Sequence, residues 1–362
     1  MKKDRITLGV DVSKKTLDIC HWGTHDFIKI ENNSSGFKQL AKWMRGKGFV
    51  SSQVFFIMEY TGGYEYRFLQ YCESKGLSYT RKSGLEIKKS MGMVRGKSDK
   101  QDSFRIAQYG EEKAYMLEPS GKLNSTIFDL KQLISFRKRL VREMAGYKAS
   151  SSERKTMYGK DAGKVILKVS KTMIDVYKKE IYRVEREILQ LIESDESLNR
   201  NYQILKSVKG IGPVNAWMTI VYTENFKAFT DPRKYAVYAG VIPFEHTSGT
   251  SIRGRKRVSH MANKAIKQEL NQAAKIAITH DKTLREYAQR KLTTKSLPVG
   301  LEQCEIQADS DHVFLDRTTG DVSGRLSLCS VIEKILKKIC ICQKPRIPGK
   351  EGFKDCQDQV WR

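Results

Sequence analysis

The sequence has no apolar run approaching the ~20 residues of a membrane span. Uninterrupted stretches such as Val54 to Met58 are of strand length, so no membrane partner is expected. Nor does an apolar segment with a cleavage site follow Met1-Lys2-Lys3-Asp4-Arg5, which runs straight into a strand pattern. That points to a reducing, cytoplasmic location. CxxC pairs are also missing. Of seven cysteines only Cys20 and Cys72 precede residue 300, and zinc at Cys340 and Cys342 would need histidines that the tail hardly offers beyond His312. Carboxylates are scarce as well: 41 Asp and Glu face 66 Lys and Arg, leaving a formal charge of +25. Ribosomal, membrane-surface and chromatin proteins share such a balance, but phosphate, and hence nucleic acid, is the partner it favours. With 40% hydrophobic residues over 362 positions, the chain has enough apolar material for two or three folded domains, which excludes disorder as its main state.

The opening third alternates strand and helix signals. Ile6 to Val12, Thr16 to Trp22 and Asp26 to Ile30 read as short strands, and Gly36 to Arg45 as a helix with Phe37, Leu40, Ala41 and Met44 on one face. Val54 to Met58 suits a strand covered on both sides. A helix over Tyr64 to Ser74 and a strand over Leu77 to Arg81 follow, and a further helix completes the order of an α/β RNase H-like fold. Apolar stripes over Ile127 to Met144 and Val165 to Ile192 then predict two long helices, separated by the polar stretch Ser150 to Gly163. Neither buries its stripe alone, so an antiparallel hairpin or an intermolecular coiled coil is expected. A compact, basic, mostly α domain begins near Tyr202 and ends near Leu292. At its start, Lys209-Gly210-Ile211-Gly212-Pro213 has the form of a helix-hairpin-helix turn, in which Lys209, Gly210 and Gly212 can hold a DNA phosphate at a helix N-terminus. An ordinary glycine turn between core helices is the plainer alternative.

Four carboxylates stand where metal chemistry would use them. Asp11 lies on the first strand, and Glu59 ends the buried strand at its carboxyl end, where open α/β sheets place their sites. Asp99 and Asp102 are three apart at the start of a helix whose capping pattern is Ser98 with Gln101. Singly, each could be an internal ion-pair partner in so basic a protein. Together they could hold two Mg²⁺ ions about 3.5–4 Å apart for phosphodiester displacement. Asp18 is more easily read as a surface residue. A second constellation runs from Pro243 to Arg257. There Ser248, in a glycine-flexed loop, neighbours Arg253, Arg255, Lys256 and Arg257, and His246 is the sole local base. By its chemistry alone Ser248 reads as a phosphate contact; the sharper reading makes it a nucleophile.

Three stretches, Gly9-Val10-Asp11-Val12-Ser13, Met58 to Tyr64 and Lys97 to Asp102, closely resemble the DEDD domain of the bridge-RNA-guided transposases of insertion-sequence family one-ten. Gly210 to Pro213, Tyr238-Ala239-Gly240 and Ser248-Gly249 with Arg253 to Arg257 resemble that family's C-terminal transposase domain. The resemblance implies a RuvC-like nuclease domain over 1–120 with Asp11, Glu59, Asp99 and Asp102 as metal ligands. A helical coiled-coil segment over 121–200 and a basic transposase domain over 201–292 would follow, with Ser248 joining covalently to DNA. It further implies double-stranded DNA and a structured noncoding guide RNA as partners, and protomers assembled as dimers or tetramers. Residues 293–362 depart from the family's lysine-rich helical ending. Gly300 to Phe314, back-translated with permissive codons and shifted one nucleotide, can yield such an ending, so the tail is expected to be an out-of-frame extension. A junction-resolving nuclease in which Ser248 merely touches phosphate, and an inactive nucleic-acid-binding remnant, are the competing readings.

Overall fold

The structure, a computed structural model, describes residues 5–92, 98–159, 163–229, 231–248 and 252–293. The cysteines from Cys304 onward, His312, Lys97 and Gly249 to Ser251 lie outside the described residues. The chain divides into two compact units between Asn124 and Ser125.

The first unit is built on a five-stranded sheet of order β3-β2-β1-β4-β5. Its strands are β1 (Ile6–Val12), β2 (Thr16–His21), β3 (Phe27–Glu31), β4 (Val54–Glu59) and β5 (Ser78–Lys82). β1, β2 and β3 pair antiparallel, whereas β4 and β5 join in parallel, each after a helical crossover. The crossovers are α1 (Ser34–Gly46) and α2 (Tyr66–Ser74). Period-two alternation separates the faces: Leu8, Val10, Val12, Phe56 and Met58 share a core with Phe37 and Leu40 of α1 and Phe68 and Leu69 of α2. On the other face Phe55 and Ile57 pack with Ile87 of α3 (Gly84–Ser90) and with Ile106 and Tyr109 of α4 (Asp99–Glu112). The order of strands and helices follows the sequence pattern, except for the additional α3; at seven residues it is too short to carry a legible period.

α4 lies against β1 with a matching pitch. Glu111 accepts from the Thr7 hydroxyl at 2.7 Å, and one turn earlier the backbones of Ala107 and Ser103 close directly on Gly9. Four helical residues rise about 6 Å and two strand residues about 6.6 Å, so the steps 111, 107, 103 descend beside 7, 9, 11. A Cβ on Gly9 would strike the Ala107 nitrogen and the Ser103 carbonyl. Backbone cannot rotate away as a side chain can. Gly9→Ala should therefore cost about 3 kcal/mol, the upper end for overpacking. Gly46→Ala, with open space around it, should be neutral or slightly stabilising. Denaturant unfolding of the two variants checks this.

The second unit opens with two long helices, α5 (Ser125–Tyr158) and α6 (Lys164–Glu193). Arg137 donates to Glu185 at 2.7 Å and Tyr177 to Glu143 at 3.0 Å. As α5 advances, α6 retreats, so the pair runs antiparallel. α5 does not stop near Met144 where its apolar stripe ends, but continues through the polar stretch to Tyr158. Beyond Gly146, which the helix absorbs, those residues bury little, yet no further glycine and no proline interrupts them before Gly159, whose φ is +77°. One continuous core joins Leu130, Leu140, Ile181 and Ile188 of these helices to α7 (Glu196–Lys206), α8 (Pro213–Tyr222), α9 (Pro232–Tyr238), α10 (Lys264–His280) and α11 (Lys282–Thr293). The expected loop around Ser248 is instead a two-stranded antiparallel ribbon, β6 (Pro243–Ser248) and β7 (Ile252–Val258). Charge and glycine content masked its alternation. Among the described residues no helix is long and apolar enough to cross a membrane.

Candidate active site

A single row of charged residues crosses all five strands of the first sheet. Lys29 on β3 stands opposite Asp18 on β2, and Asp18 opposite Asp11 on β1. Val10 pairs with Met58, which brings Asp11 and Glu59 level one step on, and Glu59 pairs with Lys82 on β5. Lateral partners share a face. The row Lys29, Asp18, Asp11, Glu59, Lys82 thus lies on the α4 side, at the carboxyl ends of β1 and β4.

The pitch match of α4 continues one step past this row. One turn before Ser103 is Asp99, placed with Asp102 in the helix's first turn. Ser98 caps that turn by accepting from the Gln101 N–H at 3.3 Å, so the helix starts where the carboxylates are needed and its positive end favours their ionised forms. Lys29 Nζ lies 3.3 Å from the Asp18 carboxylate and 3.5 Å from that of Asp99. Asp102 pairs with Arg105 at 2.8 Å. Glu59 lies against Gly84, where any Cβ would displace its carboxylate.

The crowding has an electrostatic signature. Burial, and then the charges of Asp102, Asp99, Asp18 and Glu59, push the Asp11 carboxyl up to about 6. Asp18 is likewise raised by burial, with Lys29 pulling the other way. Such a set of hard oxygens lacks positive charge at its centre and fits a divalent ion. The side chains are not drawn to a common point: among the described residues no group of three or more acidic, histidine or cysteine side chains is placed to hold a metal ion. The structure thus brings the four expected ligands onto one face without forming the expected two-ion cage.

The loop after Glu59 is firmly held. Glu65, buried, accepts from the Thr61 hydroxyl and from the Gly63 N–H, and Asn32 donates to the carbonyls of Ser13 and Tyr64. Exposed Tyr60 and Tyr64 flank the loop.

In the second unit Ser248 ends β6 and pairs with Ile252; Thr247 pairs with Arg253, His246 with Gly254 and Phe244 with Arg257. A register shift between Phe244 and His246 sets Arg255 and Lys256 against the single residue Glu245. In the turn, Lys209 Nζ reaches the His280 carbonyl at 3.4 Å. Gly210 has φ +93° and lies so close to Ala273 and Ala277 of α10 that its missing side chain is explained by packing. Gly212 has open space around it. It precedes Pro213 at the start of α8, which no side chain caps.

Comparison with known proteins supplies the context. Residues 8–152 match the DEDD_Tnp_IS110 transposase family model, and residues 202–289 match the Transposase IS116/IS110/IS902 family model. The two fall in order and together span well over half of the chain. The chain belongs to the IS110 transposase family. It is also similar to the pilin gene-inverting proteins of Moraxella bovis and Moraxella lacunata, each 27% identical over 271 residues, covering 73% of this chain and 80% of the relative.

Membership in the IS110 family makes the chain a DNA-handling enzyme of the transposase and recombinase class. Around the carboxylate row the structure adds residues that the sequence pattern does not mark. Asp18 is not a surface residue but is 3% exposed, beside Asp11. Its place in an alternating strand was legible; its neighbour across the β1–β2 turn was the signal. Gly9, Lys29 and Gly84 matter through contacts distant in sequence, which no local pattern displays, whereas the contacts of Glu65 with Thr61 and Gly63 are local.

Proposed function

We propose that this IS110-family chain breaks and joins DNA strands by metal-assisted, serine-mediated exchange under the direction of a structured noncoding RNA. The observation that carries the reading is the carboxylate row: Asp11 and Glu59 held level on adjacent strands, with Asp99 and Asp102 delivered by the capped start of α4. On this reading residues 1–120 serve as a RuvC-like nuclease domain, 121–200 as a helical hairpin or coiled coil and 201–292 as the serine domain.

Asp11, Glu59, Asp99 and Asp102 would hold Mg²⁺, two ions in the full reading, which when bound would neutralise charge on a phosphate and lower the pKa of an attacking hydroxyl. Ser248 Oγ forms a bond to phosphorus as the P–O bond to the neighbouring deoxyribose breaks. The serine proton goes to solvent base, and the departing sugar oxygen takes a proton to become a free hydroxyl. Arg253, Arg255, Lys256 and Arg257 offset the phosphate charge, while Gly212 and the open start of α8, with Lys209 and Gly210, take a second backbone phosphate. Guide-RNA binding, assembly as dimers or tetramers and a cytoplasmic setting rest on the family resemblance and on the surplus of 25 positive charges.

The test combines purified protein, Mg²⁺, the noncoding RNA transcribed from DNA flanking the gene, and duplexes bearing the element ends. Strand cleavage that requires all components, and is lost in Asp102→Ala with DNA affinity retained, supports the reading, because binding draws mainly on cations elsewhere. Full cleavage by Asp102→Ala overturns it. Water-terminated cleavage with no protein-linked DNA moves the chain to a junction-resolving nuclease, and binding without cleavage to an inactive remnant.

A further inference from the structure

At the level of the row five carboxylates gather, not four, and chemistry alone does not separate Asp18 from the others. It is a hard oxygen donor, buried, and directly beside Asp11 in register. What sets it apart is its other neighbour. Lys29 is its lateral partner on β3, so backbone pairing and not a chance rotamer brings the ammonium to 3.3 Å from the Asp18 carboxylate. The same ammonium stands 3.5 Å from Asp99. The Asp18 side chain is 4% exposed and that of Lys29 49%, so the lysine sits at the rim and reaches inward. Lys82, at the far end of the row, is paired with Glu59 by register, and Arg105 is occupied with Asp102.

We infer that Lys29 is a positioning residue that withdraws Asp18 from the metal-holding set and tethers Asp99 to it, leaving four carboxylates to face the divalent ions. This rests on the metal reading above. Neutralising Lys29 would release Asp18 as an uncompensated negative charge beside Asp11, and the site would draw cations more strongly. Neutralising Asp18 would do the opposite, because the whole charge of Lys29 would then fall on Asp99.

Mn²⁺ binding to the full-length protein without DNA, followed by calorimetry, tests this independently of cleavage. Removing or adding one nearby charge at a partly exposed site changes affinity by about fivefold. Lys29→Met should bind Mn²⁺ about fivefold more tightly and Asp18→Asn about fivefold more weakly, on the same scale. Lys29→Arg, which keeps the charge, should resemble the wild type, and the double variant Asp18→Asn with Lys29→Met should return close to it. If Lys29→Met leaves too little folded protein, Lys29→Gln serves, since an amide can donate to Asp18 without carrying charge. If Asp18 is itself a ligand, Asp18→Asn and the double variant will both bind far more weakly, which overturns the role assigned to Lys29 while leaving the metal site intact. Unchanged binding in Lys29→Met and Lys29→Gln overturns it equally. A wild-type protein that does not bind Mn²⁺ removes the metal reading and this inference together.

Discussion

Asp11→Asn should abolish DNA strand cleavage and at the same time make the protein more stable. The loss follows from removing the central oxygen donor of the row, and a fall of about 10³-fold or more is the scale for losing one strong electrostatic stabiliser of a transition state. The gain follows from repulsion. Burial and four neighbouring carboxylates raise Asp11 from 3.8 to about 6, so the folded protein holds a proton that the unfolded chain would release. Ionisation therefore opposes folding: the cost is absent below about pH 4, grows between pH 4 and 6, and is complete above pH 6. A shift of about two units corresponds to at most about 3 kcal/mol, and partial exposure of Asp11 reduces this to about 1–2 kcal/mol. Thermal unfolding at about pH 7.5, above this window, should place the Asp11→Asn variant above wild type by several degrees, with the difference vanishing near pH 4. Millimolar Mg²⁺ should close most of that gap by stabilising only the wild type. Equal melting temperatures above the window would show that Asp11 is not under the strain its surroundings imply.

Ser248→Ala should eliminate any denaturation-resistant link between protein and DNA while leaving binding nearly intact. Ser248 closes β6 beside the three-residue connection to β7, at the end of a ribbon whose return strand carries Arg253, Arg255, Lys256 and Arg257. Cations on the strand paired with a serine can neutralise a phosphate but cannot take a proton, so Asp11→Asn should also fail to form the link if carboxylate-held metal activates the serine. Ser259 is the internal control: it follows the same strand, and its hydroxyl is already engaged by the Met261 N–H at 3.1 Å. Mass spectrometry of the DNA-linked peptide decides the matter, and a link mapped to any residue other than Ser248, or persisting in Ser248→Ala, would reassign the nucleophile.

Where the sequence pattern succeeded and where it failed follows the range of the interactions. β1, β4 and α4 were legible because alternation, an uninterrupted apolar run and a serine cap are written within ten residues or so. Asp11, Glu59, Asp99 and Asp102 could be named because each stands at a marked end of such an element. The burial of Asp18 is not legible, because strand alternation says which residues share a face but not what covers that face. α4 covers it, from far along the chain. The continuation of α5 to Tyr158 was missed because the apolar stripe ends before the helix does; what stops the backbone is Gly159. The ribbon carrying Ser248 is not legible as a strand, since Ile-Arg-Gly-Arg-Lys-Arg-Val lacks the apolar face that usually announces one.

The close approach of α4 to Gly9 has a consequence for how such a chain decays. A gene released from selection for catalysis meets different barriers at neighbouring positions. Replacing Asp11 relieves repulsion and is rewarded with stability, so it is among the earliest changes a folded but idle lineage would accept. Replacing Gly9 drives a side chain into helix backbone, and any lineage that must still fold will refuse it. Loss of the carboxylates with retention of the glycine is thus the expected mark of a fossil. In this sequence Gly9 stands together with Asp11, Glu59, Asp99 and Asp102, so the mark of a fossil is absent at these positions.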